Sequence, residues 1–160
     1  MSKTSTEAKG IWLQRIEKGL NRKEDWQVEQ DSMNQSNARR ELEQFLGVDI
    51  KTKENFSIWD WEFYRDDNLL AIGEYRRRFH NFGTFPDFQF SQKKFEKLEA
   101  QGKEYKVSAL FFVEFDDIFL YFLISGKYPT KVMRRNHEVR TEECVCIPNN
   151  SFLYVNDLLL

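Results

Sequence analysis

A chain of 160 residues with 24 Lys and Arg against 26 Asp and Glu carries a formal net charge of −2, which excludes a protein that coats nucleic acid by bulk charge alone. Apolar residues make up 41% and charged residues 31%, the composition of one soluble globular domain with a real core and little room for a second. The longest apolar run, residues 107–125, is broken by Glu114, Asp116 and Asp117 and does not read as a membrane span, and the opening MSKTSTEAKG has no apolar segment of a signal peptide.

In chain order, residues 4–22 read as a helix: Thr4 and Glu7 form a capping box, and Trp12, Ile16 and Leu20 recur at four-residue spacing. That stripe needs a docking surface, either the domain itself or a second subunit in a homodimer. Residues 21–34 are polar and rich in Gln and Asp, which predicts a loop or lightly held linker. The expected division is therefore an N-terminal helix and linker over 1–31 and a compact domain over 32–160. Ser36 or Asn37 caps a second helix ending near Gly47, with Ala38, Leu42, Phe45 and Leu46 inward and Glu41 at the edge of the stripe.

Residues 57–78, SIWDWEFYRDDNLLAIGEYRRR, hold two strand-like runs around Asp66-Asp67-Asn68. Strand side chains repeat every two residues, so Trp59, Trp61 and Phe63 share one face and Asp60 and Glu62 the other. In the second run Leu70, Ile72, Glu74 and Arg76 share a face. A hairpin brings Asp60 or Glu62 close to Glu74 and Arg76, an acidic cluster with a cation beside it.

Residues 79–90, with five Phe and His80, Asn81, Gly83 and Pro86, predict a structured loop over the sheet. Ser91 caps a third helix that turns Phe95 and Leu98 inward and carries Lys93, Lys94 and Lys97. Residues 107–115 and 118–125 read as two central strands around the Asp116-Asp117 turn. Residues 127–140 are basic and exposed in this reading, and 144–147 and 152–155 are short strands or edges. Cys144 and Cys146 lack the further ligands of a zinc site and read as packing residues in a reducing, cytoplasmic setting. His80 and His137 stand alone, and Glu114 reaches the acidic cluster only if its strand lies beside that of Glu74.

The order helix, strand, strand, loop, helix, strand, strand is a mixed α/β plan. Asp60 in one strand, Glu74-Tyr75-Arg76 in the next, and a preceding helix bearing Glu41 resemble the PD-(D/E)XK nuclease superfamily over roughly residues 32–125. The resemblance implies a restriction-endonuclease-like fold: a mixed central β-sheet flanked by helices, with an αβββαβ-type core. It also implies DNA phosphodiester hydrolysis, with magnesium, or manganese in its place, held by Asp60, Glu74 and the Tyr75 carbonyl, and with Glu41 as an accessory acid. A hard cation bound by carboxylates polarises a phosphoryl oxygen and acidifies a water, which is what such hydrolysis requires.

Where the superfamily has lysine two residues after the glutamate, this chain has Arg76, which stays protonated and stabilises charge but does not serve as a base. Three arrangements remain open: Arg76 replaces the lysine electrostatically, Lys93 or Lys94 reaches the site from the next helix, or the domain binds nucleic acid without cutting it. Arg77, Arg78, Lys93, Lys94, Arg134 and Arg135 are the expected contacts to a DNA backbone. By analogy with small phage or mobile-element nucleases the substrate is structured or single-stranded DNA; the rival reading is an inactive nucleic-acid-binding or protein-interaction domain on the same fold.

Overall fold

The computed structural model describes residues 23–52, 59–125, 128–134 and 141–160. The helix expected over 4–22, the basic residue Arg135 and His137 lie outside them. The described residues form three layers. The middle layer is a six-stranded sheet in the order β1 (Asp49–Thr52), β2 (Trp61–Arg65), β3 (Asn68–Arg77), β5 (Ser108–Glu114), β6 (Phe119–Leu123), β9 (Leu153–Tyr154). All its pairings are antiparallel except β3 with β5, which run parallel with Glu74 opposite Phe111. Helix α1 (Lys23–Leu46) covers one face, and helix α2 (Gln92–Tyr105) the other. Beside α2 stands a three-stranded antiparallel sheet of β4 (Asp87–Ser91), β8 (Thr141–Pro148) and β7 (Thr130–Arg134). This is the mixed α/β architecture that the pattern of elements predicts.

The period of two along the strands divides the core. Ile72, Phe111, Val113 and Phe122 pack with Phe95 and Leu98 of α2 and with Phe88, Phe90, Val145 and Ile147 of the smaller sheet. Trp61, Phe63, Ala71, Tyr75, Leu110 and Phe112 pack with Ala38 and Leu42 of α1. Most of the phenylalanines are spent here: Phe111 stacks on Phe122 at 5.1 Å between centroids and meets the edge of Phe90 at 4.5 Å. Such pairs contribute roughly 0.5–1.5 kcal/mol each beyond their buried area.

Four local expectations are corrected. Residues 23–34 are helical, not a linker, because the inward stripe of α1 continues at four-residue spacing from Leu42 and Ala38 through Asn34 to Gln30. Those two polar residues are buried, and Gln30 Nε2 donates to Asn34 Oδ1 at 3.2 Å. Phe45 falls off that stripe and is 55% exposed. Trp59 packs on the α2 side of the sheet, opposite Trp61, because the chain bends at Asp60 instead of continuing the strand. The loop expected over 79–90 ends in β4, an unforeseen strand, as is β1. Cys144 and Cys146 are free and buried on β8.

The β2–β3 hairpin turns on Asp66 and Asp67, both with positive φ, the geometry of a two-residue turn that matches strand twist. Above it Gly73 leaves room for Phe63 and Phe112, whose rings stack at 5.6 Å. A Cβ on Gly73 would lie 2.9 Å from Phe63 and 3.2 Å from Phe112. Gly73→Ala is therefore expected to destabilise the fold by about 1–3 kcal/mol, the usual cost of overpacking. A fall in the urea midpoint at unchanged slope checks it; an unchanged midpoint would mean that the two rings yield freely.

Candidate active site

Asp60 sits at the bend just before β2 and is tied to β3 twice. Its N–H donates to the Gly73 carbonyl at 3.0 Å, and its Oδ2 accepts from the Tyr75 N–H at 3.0 Å. Glu74, near the end of β3, points to the α2 side, and its side chain is only 2% exposed. Lys94 Nζ donates to Glu74 Oε1 at 2.6 Å, and Arg76 Nη1 to the same oxygen at 2.9 Å. Glu74 Oε2 is buried without a partner. The same Arg76 Nη1 lies 2.8 Å from the Tyr75 carbonyl oxygen and 3.8 Å from Asp60 Oδ2. One cationic nitrogen is thus surrounded by oxygens from Asp60, Glu74 and Tyr75.

Lys94 reaches this point because Ser91 Oγ caps α2 by accepting from the Lys94 N–H at 3.4 Å, while Phe95 and Leu98 anchor the helix below. Successive helical residues are about 100° apart, so Lys93 is left on the outside and is exposed. Of the two lysines weighed in the sequence, Lys94 is thus the one in contact with Glu74.

Two cations do not offset the burial of Glu74. Its pKa is pushed up to about 7, first by burial and then by the charge of Asp60, with Arg76 and Lys94 pulling the other way. Two carboxylates face two protein cations, so it is burial more than any excess of negative charge that leaves the Glu74 carboxyl easier to protonate. A stronger positive charge in the cradle would relieve it, and the partnerless Oε2 supplies a lone pair for one. Among the described residues no three His, Cys, Asp or Glu converge on one point. The donors are then two carboxylates and a peptide carbonyl, a set that suits a hard cation that keeps several waters.

The remaining sequence candidates are placed as follows. Glu62 shares the face of Glu74 but is engaged elsewhere, Oε2 accepting from Trp59 Nε1 and Oε1 from the Tyr64 hydroxyl. Glu114 does lie on the strand beside β3, yet on the opposite face, where it accepts from the Tyr75 hydroxyl at 2.6 Å. Glu41 is half-buried on α1, one residue from Leu42, against the Tyr75 face of the sheet. Arg77, expected on the DNA-facing surface, turns inward: its side chain is 5% exposed and pairs with Asp116 at 2.9 Å. Arg78 continues the Glu74–Arg76 face and lies over the Phe88 ring. Arg134 ends β7.

A mixed sheet with this strand order, flanked by helices and presenting an Asp and a Glu from adjoining strands, defines the restriction-endonuclease-like class. Within it the comparison is specific. Residues 21–144 match the family described as "Phage putative PDDEXK endonuclease", and the chain belongs to that family of nucleases. Among solved structures, Hjc of Archaeoglobus fulgidus, a Holliday junction resolvase, is similar at a TM-score of 0.50 and 12% identity, over 76% of this chain and 96% of that one. That likeness concerns the fold. No curated protein matches.

The raised pKa makes stability depend on pH. In the unfolded chain Glu74 titrates near 4.5, and in the folded chain at about 7. Between these values the folded state holds a proton that the unfolded state has released. The contribution is fully present below the unfolded value and is lost as pH rises through the folded one. Its size is on the order of 3 kcal/mol. In chelator, Glu74→Gln is expected to flatten the fall in urea stability between pH 5 and pH 8 and to exceed the wild type at pH 8. An equal slope in both proteins would contradict the assignment.

Proposed function

We propose that this protein is a magnesium-dependent DNA endonuclease whose site is built from Asp60, Glu74, the Tyr75 carbonyl and Lys94. The observation that carries the reading is the position of Arg76 Nη1, a cation already lodged among the three oxygens that would hold a metal. A divalent ion bound there supplies Lewis-acid polarisation of the scissile phosphate and an acidified water, with manganese as a substitute for magnesium.

The chain's own groups do the rest. Asp60 and Glu74 are held rigidly by β3 and by the bend before β2, so the cradle needs little reorganisation. Lys94, the compact donor, occupies the place of the superfamily's lysine and stabilises charge that develops on the phosphate oxygens or orients the attacking water. Arg76, on a flexible and 37% exposed side chain, binds a phosphate through its planar fork. Arg78 and Lys93 track the DNA backbone next to the site, with Arg134 and Arg135 as further backbone contacts. Residues 23–160 form the nuclease proper, α1 included. Because the structural neighbour is named as a Holliday junction resolvase, branched DNA is the first substrate to try.

Cleavage of plasmid and branched DNA with magnesium tests the reading. Glu74→Ala and Asp60→Asn should abolish it, and Lys94→Met should slow it about 100-fold or more, as removal of a positioned donor does. Arg76→Lys should keep activity within about tenfold, since a cation of the same sign remains. Activity surviving Glu74→Ala would sink the site. Binding without any cleavage by the wild type would favour a non-cutting DNA-binding domain.

A further inference from the structure

The groove does not end at Arg76. Beyond β3 the backbone keeps its ladder, with the Arg78 N–H donating to the Glu114 carbonyl at 2.9 Å, so Glu74, Arg76 and Arg78 line one wall in succession. Arg78 is about 7 Å further on than Arg76. The other wall is β4, which runs through Ser91 into the turn of α2 that carries Lys94. Between the walls, at the Arg78 end and about 13 Å along the strand from Glu74, lies a cleft of about 440 Å³. It is lined by His80, Phe82, Phe85, Asp87, Gln89 and Asn149, besides Arg78.

The lining selects its occupant. Phe85 leaves 57% of its surface exposed, and its ring stands edge-on to His80 at 5.0 Å. The exposed Phe85 ring offers an apolar surface to a flat ligand and Gln89 an amide group to its edge, while Asn149 Nδ2 donates to the Phe85 carbonyl at 2.9 Å and holds that loop. The guanidinium of Arg78 is laid over Phe88 at 4.9 Å, and Asp87 brings a negative charge to the lining. Such a cleft is poorly made for a phosphate and well made for a nucleobase. Its size admits one nucleoside and not a stacked base pair, so the base must leave the helix to enter.

We propose that this cleft receives an unpaired nucleobase of the strand whose scissile phosphate lies at the acidic cluster, so that the substrate class is DNA with an extrahelical or single-stranded nucleotide a short step along the strand from the cut. The inference rests on the nuclease reading for its register along the strand, but binding tests it without cleavage. The full chain is titrated in chelator with oligonucleotides carrying 2-aminopurine, either unpaired in a one-nucleotide bulge or paired in a duplex.

The unpaired probe should bind at least fivefold more tightly than the paired one, with its emission quenched by stacking. Phe85→Ala should remove the quench and weaken binding of the bulged DNA by about 5- to 100-fold, the range for loss of one base–aromatic stack, with the loss confined to that substrate. Because Phe85 is largely exposed, the variant should fold, which its unfolding midpoint checks. Unaltered quenching and affinity in Phe85→Ala would overturn the proposal. So would competition by pyrophosphate as effective as that by a nucleoside monophosphate. A wild type that cuts DNA with magnesium but does not discriminate the bulge would overturn the base cleft alone. One that discriminates through Phe85 yet cuts nothing would overturn the nuclease reading and support the cleft.

Discussion

A buried carboxylate governs this structure. Glu74 is surrounded by packed apolar side chains, shares one oxygen between Arg76 and Lys94, and leaves the other without a partner. In a low-dielectric setting such a group is costly unless charge compensates it, and here the neighbouring Asp60 adds to the cost. The surroundings answer with two cations and still leave the carboxyl easier to protonate than in water. A site of this kind is poised to accept further positive charge. The guanidinium nitrogen that now sits among Asp60, Glu74 and Tyr75 marks where that charge would go.

The alternation of side chains along β3 then assigns the work. Glu74, Arg76 and Arg78 face α2 and the groove; Tyr75 faces α1 and is locked to Glu114 by a short hydrogen bond; Arg77 is tied to Asp116. One set is partly open to solvent and would carry the proposed chemistry. The other is closed and fixes the strand on its parallel neighbour. The parallel pairing of β3 with β5 matters because it buries β3 on both edges and holds the site at the ends of two central strands. Lys94 completes the set from α2, whose start is fixed by Ser91 and whose depth is fixed by Phe95 and Leu98.

Much of this was legible in the residues. The period of two around Glu74, the Asp-Asp turn and the Ser91 cap located the hairpin and the helix that follows. The elements that escaped did so for definite reasons. Residues 23–34 read as polar, and the described buried positions there are Gln30 and Asn34, so the spacing of Ala38 and Leu42 carried backwards was the signal for the helix. A bend at Asp60 turned Trp59 to the opposite face from Trp61, which strict alternation does not foresee. β4 was hidden in a Phe-rich stretch that read as a loop because its partner, β8, is more than fifty residues away. That Lys94 and not Lys93 reaches Glu74 follows from helical phase once the cap is known, but which way Arg76 turns depends on three-dimensional packing.

The account stands or falls on the oxygens around Arg76 forming a cation cradle. The most direct measurement is a manganese titration of the full chain, compared with Glu74→Gln and Arg76→Met. One ion per chain is expected, bound at least tenfold more weakly after Glu74→Gln and more tightly after Arg76→Met, because like charges no longer compete for the same oxygens. Binding that is indifferent to both substitutions would contradict it.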